Sequence, residues 1–183
     1  MPRIAPLTDA GASADLKAAW AHHIDSYPGS RITNIKATLS HSPLAFTVYM
    51  QWYPLYESVK KLVGERSAYL FAHAISQASD CPLCTTFFRK LIIEHGERPE
   101  DLHLTKAEEE LLTFGAAIAS NRGDVSDSLY EPIHQLYAEN EIVLLVAFAG
   151  QMIATNLFNN VLEVVTDDYL TPYRPVTQPT THA

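Results

Sequence analysis

The two cysteines of the chain are separated by two residues, in the segment Cys81-Pro82-Leu83-Cys84. The thiolate form of cysteine attacks peroxides and disulfides, but a free thiol is mostly protonated at neutral pH. Asp80 is a typical N-cap residue, which predicts a helix that begins at Cys81. The unpaired N–H groups of such a helix end favour a negative sulfur, although the Asp80 carboxylate opposes it. This spacing places both sulfurs on one face of the helix, near enough to form a disulfide.

The residues alone leave three uses of this dithiol open: a redox pair, a metal site, or a buried and inert pair. A structural disulfide is disfavoured, because so short a loop would constrain little of the unfolded chain. Zinc needs about four ligands, and the chain has no second cysteine pair. His73, His95 and His103 complete a metal site only if the fold gathers them. We therefore expect redox use, with no metal and no cofactor.

Charge and length narrow the classes of partner. The chain has 183 residues, 13 basic and 21 acidic, and a formal net charge of -8. Lysine and arginine form no cluster, so neither nucleic acid nor an anionic membrane surface is expected as a partner. The N-terminus lacks the apolar run of a signal peptide, and the longest apolar run, residues 142–150, is about half of a bilayer span. We predict one cytoplasmic domain over residues 1–183, with its core at about 15–170.

The apolar residues recur with helical period almost everywhere, and no long stretch alternates with period two. The sequence therefore predicts an all-α fold, a multi-helix bundle of about eight helices. The predicted helices span residues 15–23, 32–39, 42–63, 66–78, 81–95, 105–120, 127–137 and 139–165. Pro54 should kink or divide the third of them. Residues 171–183, which contain several prolines, should form a tail that is extended, packed on a surface or loose.

Two of these helices carry further signals. Thr105 and Glu108 have the spacing of a capping box, which predicts the start of the helix that follows. The last helix is apolar on nearly all sides up to Phe158. Such a helix must be covered all round, either by the other helices or by a second subunit.

A series of aromatic residues follows the helix start at Ser42-Pro43. Its members recur at helical spacing: Phe46, Tyr49, Trp52, Tyr53 and Tyr56. We interpret them as core or subunit interface, because large rings contribute most of their stabilisation when buried. The alternative is a pocket beside the dithiol, formed in an oligomer.

Several segments around the dithiol resemble the alkylhydroperoxidase D-like (carboxymuconolactone decarboxylase) superfamily. The first is Ser40-His41-Ser42-Pro43-Leu44 before a long helix, and the second is the helix over residues 67–78 followed at once by the dithiol. Residues 104–112, Leu-Thr-Lys-Ala-Glu-Glu-Glu-Leu-Leu, and residues 156–160, Asn-Leu-Phe-Asn-Asn, resemble two later helices of the family. The resemblance spans about residues 15–170 and implies an all-α fold that assembles as a homo-oligomer, a dimer, trimer or hexamer.

The resemblance also implies roles for the two sulfurs. In the peroxidase members the second cysteine attacks the peroxide and the first resolves it, which makes Cys84 the nucleophile and Cys81 its partner. Those members relay protons through a glutamate and a histidine, and here these positions hold Tyr69 and Phe88. His73 lies one helical turn after Tyr69 on the same face, so it is the candidate stand-in, with a structural histidine as the alternative. Tyr69 is a second candidate, although a hydroxyl of pKa about 10 is a poor base at neutral pH.

The function that this resemblance favours is a thiol-dependent peroxidase or disulfide reductase. Its substrate would be a small peroxide or disulfide, and an external dithiol would regenerate the pair. One alternative is a decarboxylase or isomerase of the carboxymuconolactone decarboxylase type, which would not depend on the dithiol. The other is a degenerate member that senses redox state or binds a partner without turnover.

Overall fold

A computed structural model describes residues 1–175 of the chain, and these residues form an all-α fold. They contain nine α-helices and two short 3-10 helices, one before α1 and one after α9, at Asp9–Gly11 and Asp168–Tyr173. The α-helices are α1 (Ala14–Ser26), α2 (Asn34–Leu39), α3 (Pro43–Tyr49), α4 (Trp52–Val63), α5 (Glu65–Ala78), α6 (Pro82–Glu94), α7 (Lys106–Ser120), α8 (Asp127–Leu136) and α9 (Glu139–Leu162). The predicted fold class is confirmed.

Helix α5 lies at the centre of the main core. Its residues 68–73 are all buried, so every side of this part of the helix is covered. Helices α4, α6, α7 and α9 pack around it. At Gly115 of α7 the missing side chain leaves room for the ring of Phe71. The dithiol follows α5 directly, and the core therefore fixes its position.

The predicted long helix over residues 42–63 is two helices. Helix α3 ends at Tyr49 and α4 begins at Trp52, with Pro54 in the first turn of α4. The N–H groups of a first helical turn have no partner within the helix, so the missing N–H of proline costs nothing there. The predicted start of α3 is confirmed, because Ser42 Oγ accepts a hydrogen bond from the N–H of Ala45.

The N-terminal helices α1, α2 and α3 form a smaller apolar cluster beside the main core. Trp20, Leu39 and Phe46 are buried in it. The indole N–H of Trp20 donates to Ser40 Oγ over 2.8 Å, which ties α1 to the end of α2. This cluster holds α2, which carries Lys36, in its position in the fold.

Helix α9 has one buried and one exposed apolar face. Leu145, Phe148 and Ala149 are fully buried in the main core, whereas Val143 and Leu157 are 67% and 61% exposed. By length and composition alone α9 suits a membrane span, a property that it shares with core helices of soluble proteins. The other helices thus cover one face, and cover of the other face by a second copy of the chain stays a prediction.

The described part of the predicted tail packs on the surface of the domain, which is one of the arrangements expected for it. The 3-10 helix Asp168–Tyr173 packs on α6. Arg89 Nε donates to the carbonyl of Tyr173 over 3.1 Å, and the Tyr173 hydroxyl donates to Glu94 over 3.0 Å. The prolines that suggested an extended chain are tolerated in a 3-10 turn, where Pro172 lies. The rest of the predicted tail, residues 176–183, lies outside the described residues.

Candidate active site

The dithiol lies in the tight connection between α5 and α6. Cys81 is the N-cap of α6 and Pro82 its first residue, so the predicted helix start at Cys81 with Asp80 as cap is wrong by one residue. Asp80 instead ends α5, with a left-handed φ of 48°. The N–H of Cys81 donates back to the carbonyl of Ser76 over 3.1 Å, the reversal that commonly closes a helix C-terminus.

Both sulfurs are buried, and one asparagine contacts both. Cys81 is 1% and Cys84 6% exposed, and both thiols are free. The Asn159 amide of α9 donates to Cys84 Sγ over 3.2 Å and to Cys81 Sγ over 3.8 Å. The next residue, Asn160, donates to the carbonyls of Ser79 and Asp80. The end of α9 therefore holds both the sulfurs and the connection that carries them.

The two thiols share a proton unequally. A hydrogen bond from the Cys84 thiol lowers the pKa of Cys81 to about 7, aided by the N–H groups of Cys84 and Leu83 and by Asn159, while burial opposes the shift. The same hydrogen bond, together with burial, raises the pKa of Cys84 well above its ordinary value. When the pair loses its first proton, the negative charge therefore lies on Cys81 and the remaining proton on Cys84.

The amide of Asn159 is expected to hold this thiolate. In Asn159→Leu, which keeps the side-chain size and removes the donor, we expect the lower thiol pKa to rise from about 7 by about one unit or more, the scale of a hydrogen bond to a charged group. A titration of the ultraviolet absorbance of the thiolate measures this shift. Asn160→Leu is the matched control, because its amide donates to backbone carbonyls and not to sulfur. An unchanged titration of Asn159→Leu contradicts the role given to Asn159.

Cys84 lines a cavity of about 620 Å³, whereas Cys81 does not. Rings form much of the wall, and they come from five parts of the chain: Tyr27, Tyr49, Trp52, Tyr53, Tyr56, Tyr69, Phe87, Phe88, His95 and Tyr169. The aromatic series predicted from the sequence thus divides, since Phe46 is buried in the N-terminal cluster and its other four members line the cavity. A single chain forms this cavity, without a second subunit.

Tyr69 lies in the cavity wall, but its hydroxyl is engaged elsewhere. It donates to Glu97 Oε1 over 3.1 Å, and Arg66 binds both oxygens of Glu97 over 2.9 and 2.7 Å. Burial and the bond to Glu97 raise the pKa of Tyr69 to about 12. With so high a pKa the hydroxyl stays protonated at neutral pH, and a role for Tyr69 in proton transfer stays a prediction.

His73 is buried in α5 and does not line the cavity. Burial, with a contribution from Arg89, lowers its pKa to about 4, so the imidazole is neutral and a weak base. Its Nε2 has no hydrogen-bond partner within residues 1–175. A catalytic role for His73 stays a prediction, and the side chain that does bond the sulfurs is Asn159.

Comparison with known proteins identifies the architecture. No protein-family model and no curated protein matches the sequence. Among solved structures, the apo debrominase Bmp8 superposes with a TM-score of 0.75 at 15% identity, over 93% of this chain and 95% of that one. The alkylhydroperoxidase AhpD core, an uncharacterised peroxidase-related protein from Ralstonia eutropha JMP134, gives 0.70 at 14% identity, over 91% and 94%. The chain has the AhpD-like fold.

The resemblance to the AhpD-like superfamily seen in the sequence is therefore confirmed for the architecture. A further structure with the same TM-score of 0.75 and 15% identity is a cysteine-to-alanine variant of Bmp8 in complex with 2,3,4-tribromopyrrole. Identities this low establish the AhpD-like fold and leave the chemistry of this chain to its own residues.

Proposed function

We propose that the chain is a thiol-dependent reductase, in which Cys84 attacks a substrate held in the aromatic cavity and Cys81 then closes a disulfide. The observation that carries the proposal is the asymmetry of the pair: Cys84 lines the cavity, whereas Cys81 does not line it and has the lower pKa. A thiolate that bonds its neighbour's thiol can take that proton when the neighbour attacks. Cys81 would thus act as the base in place of the glutamate and histidine that the peroxidase members have and this chain lacks.

With a peroxide as substrate, the proposed reaction passes through a sulfenic acid and then a disulfide. Cys84 passes its proton to Cys81 and attacks one peroxide oxygen, which breaks the O–O bond and gives a Cys84 sulfenic acid and an alkoxide. The alkoxide takes the proton from Cys81 and leaves as alcohol. The Cys81 thiolate then attacks the Cys84 sulfur and displaces hydroxide, which takes a proton from solvent and leaves as water. An external dithiol reduces the resulting disulfide by thiol–disulfide exchange.

A second candidate substrate is a halogenated aromatic ring. The size and ring-rich wall of the cavity favour it, because a hydroperoxide group alone needs far less room. Bmp8, which shares the fold, is a debrominase crystallised with a tribrominated pyrrole. In such a step the Cys84 thiolate would take the halogen from carbon while carbon gains a proton, and Cys81 would then displace halide to form the same disulfide.

A single-turnover experiment tests the proposal. The reduced protein is mixed with hydrogen peroxide, cumene hydroperoxide or tribromopyrrole, and the loss of two hydrogens and the Cys81–Cys84 linkage are followed by mass spectrometry. We expect disulfide formation with at least one of the three, and turnover when dithiothreitol is added. Formation of the disulfide without turnover would indicate a redox sensor, and two thiols that stay reduced with every substrate would refute the proposal.

A further inference from the structure

We propose that the cavity selects an aromatic acid, a planar aromatic molecule with one anionic group that the Lys36 ammonium binds. The inference rests on the proposed function, because it names the substrate class of the same site. The observation behind it is a buried lysine with no carboxylate within ion-pair distance among residues 1–175, in a cavity whose wall is made largely of aromatic rings.

Lys36 is buried, and the two groups that its ammonium bonds are neutral. Its side chain is on α2, the residue is 6% exposed, and it lines the cavity. The ammonium donates to Ser30 Oγ over 2.7 Å and to the carbonyl of Arg31 over 2.8 Å. An ammonium has three N–H donors, and no third acceptor lies within hydrogen-bonding distance among residues 1–175. Buried lysines are normally paired, so this one has the donor and the charge to bind an anion.

The neighbouring charges leave this end of the cavity open to an anion. No carboxylate in the described part of the chain lies within ion-pair distance of Lys36. Burial lowers the pKa of Lys36, and the charge of Asp167, which also lines the cavity, raises it from beyond ion-pair distance, while Asp167 Oδ1 accepts the N–H of Asn34. The Arg31 guanidinium lies over the Tyr169 ring at 4.3 Å. The other two acidic residues of the lining, Glu57 and Glu65, are exposed to solvent. Lys36 is therefore the buried charge that an incoming anion would meet.

The wall beside Lys36 is aromatic. The ammonium is 5.1 Å from the centre of the Tyr53 ring, and Trp52 meets Tyr53 edge-on at 5.0 Å. Trp52 also stacks on Tyr56 at 4.6 Å. Rings so arranged contact a flat aromatic molecule by stacking and edge-on packing, and the cavity volume lies in the range of small-molecule sites. An aromatic acid can pack against the rings and also bind the Lys36 ammonium through its carboxylate.

Calorimetry with three probes on the intact chain tests this assignment. The probes are 2-naphthoate, its neutral analogue 2-naphthamide and its saturated analogue decahydro-2-naphthoate. We expect the wild-type chain to bind 2-naphthoate about tenfold or more tightly than either analogue, because each analogue lacks one of the two interactions. Equal binding of the acid and the amide, or no binding of any probe, would overturn the proposal.

Two variants identify the group responsible. Lys36→Met keeps the length of the side chain and removes the charge, so it should lose the preference for 2-naphthoate while still binding 2-naphthamide, which also reports that it is folded. Lys36→Arg should keep the preference. The double variant Cys81→Ser/Cys84→Ser should also keep the preference for 2-naphthoate. Ligand binding can then be measured independently of the thiol reaction, so the two proposals can fail separately. A Lys36→Met variant that still prefers the acid would also overturn the proposal.

Discussion

The Cys84→Ser variant is expected to lose reductase turnover by about 1000-fold or more, the scale on which enzymes lose activity without their nucleophile. A hydroxyl at this position would line the same cavity, but its pKa is far too high for Cys81 to deprotonate it. The measurement is the initial rate of substrate reduction with excess dithiothreitol, for whichever substrate forms the disulfide in the wild-type chain. Decarboxylation or isomerisation of a lactone-type acid that is equally fast in the wild-type chain and in Cys81→Ser/Cys84→Ser would instead favour a decarboxylase or isomerase.

The Cys81→Ser variant is the matched comparison, since it removes the resolving sulfur of Cys81 and keeps the attacking sulfur of Cys84. It should still be oxidised once, slowly, and then remain as a Cys84 sulfenic acid, because no partner can close the disulfide. Dimedone labels sulfenic acids, so after a peroxide pulse it should label Cys84 in this variant. The reverse result, with Cys81 labelled in Cys84→Ser and no label in Cys81→Ser, would show that the charged sulfur attacks directly and would exchange the two roles.

The substitution Gly115→Ala is expected to lower the free energy of unfolding. A Cβ at this position would lie 2.4 and 2.8 Å from two ring atoms of Phe71 and 3.0 Å from Ile75 Cγ1. Both neighbours are fully buried in α5, so they have little room to move. Overpacking of this kind costs about 1–3 kcal/mol, more than the roughly 1 kcal/mol that alanine gains over glycine within a helix. Urea unfolding measures the net change.

A double-mutant cycle tests whether the Phe71 ring causes this loss. Phe71→Leu alone should be destabilising, because it leaves a cavity in the core. Gly115→Ala should cost less in the Phe71→Leu background than in the wild-type chain, since the smaller side chain leaves room for the new methyl group. Additive effects would show that the ring is not the obstacle, and a neutral or stabilising Gly115→Ala would contradict the packing described for α5 and α7.

The helices could be predicted because their signals are local. Apolar period, the capping box at Thr105 and the helix start at Ser42-Pro43 all act within one or two turns, and the structure contains each of them. The helix start at the dithiol was misplaced by one residue because Asp80 suits two roles. It is a good N-cap, but aspartate also tolerates the left-handed conformation, and the ending of α5 uses it in that way.

The site could be predicted only in part, because its other members come from distant parts of the chain. Asn159 bonds a cysteine 75 residues before it, and Glu97 bonds the tyrosine 28 residues before it. Neither separation leaves a pattern in the sequence. The asparagine in an otherwise apolar helix was a usable signal, since a polar side chain buried in such a helix needs a partner. Lys36 gave no signal, because its burial depends on how α2 packs.

The burial of Cys81 behind Cys84 has a kinetic consequence. Since only Cys84 lines the cavity, a reducing thiol must enter by the route that the substrate uses and attack that same sulfur. In the proposed cycle, substrate and reductant then cannot occupy the cavity together, and double-reciprocal plots should be parallel, the pattern of ping-pong kinetics. High concentrations of either compound should also slow the proposed cycle. Excess substrate would occupy the cavity of the disulfide form and block the reductant, and excess reductant would occupy the cavity of the dithiol form and block the substrate.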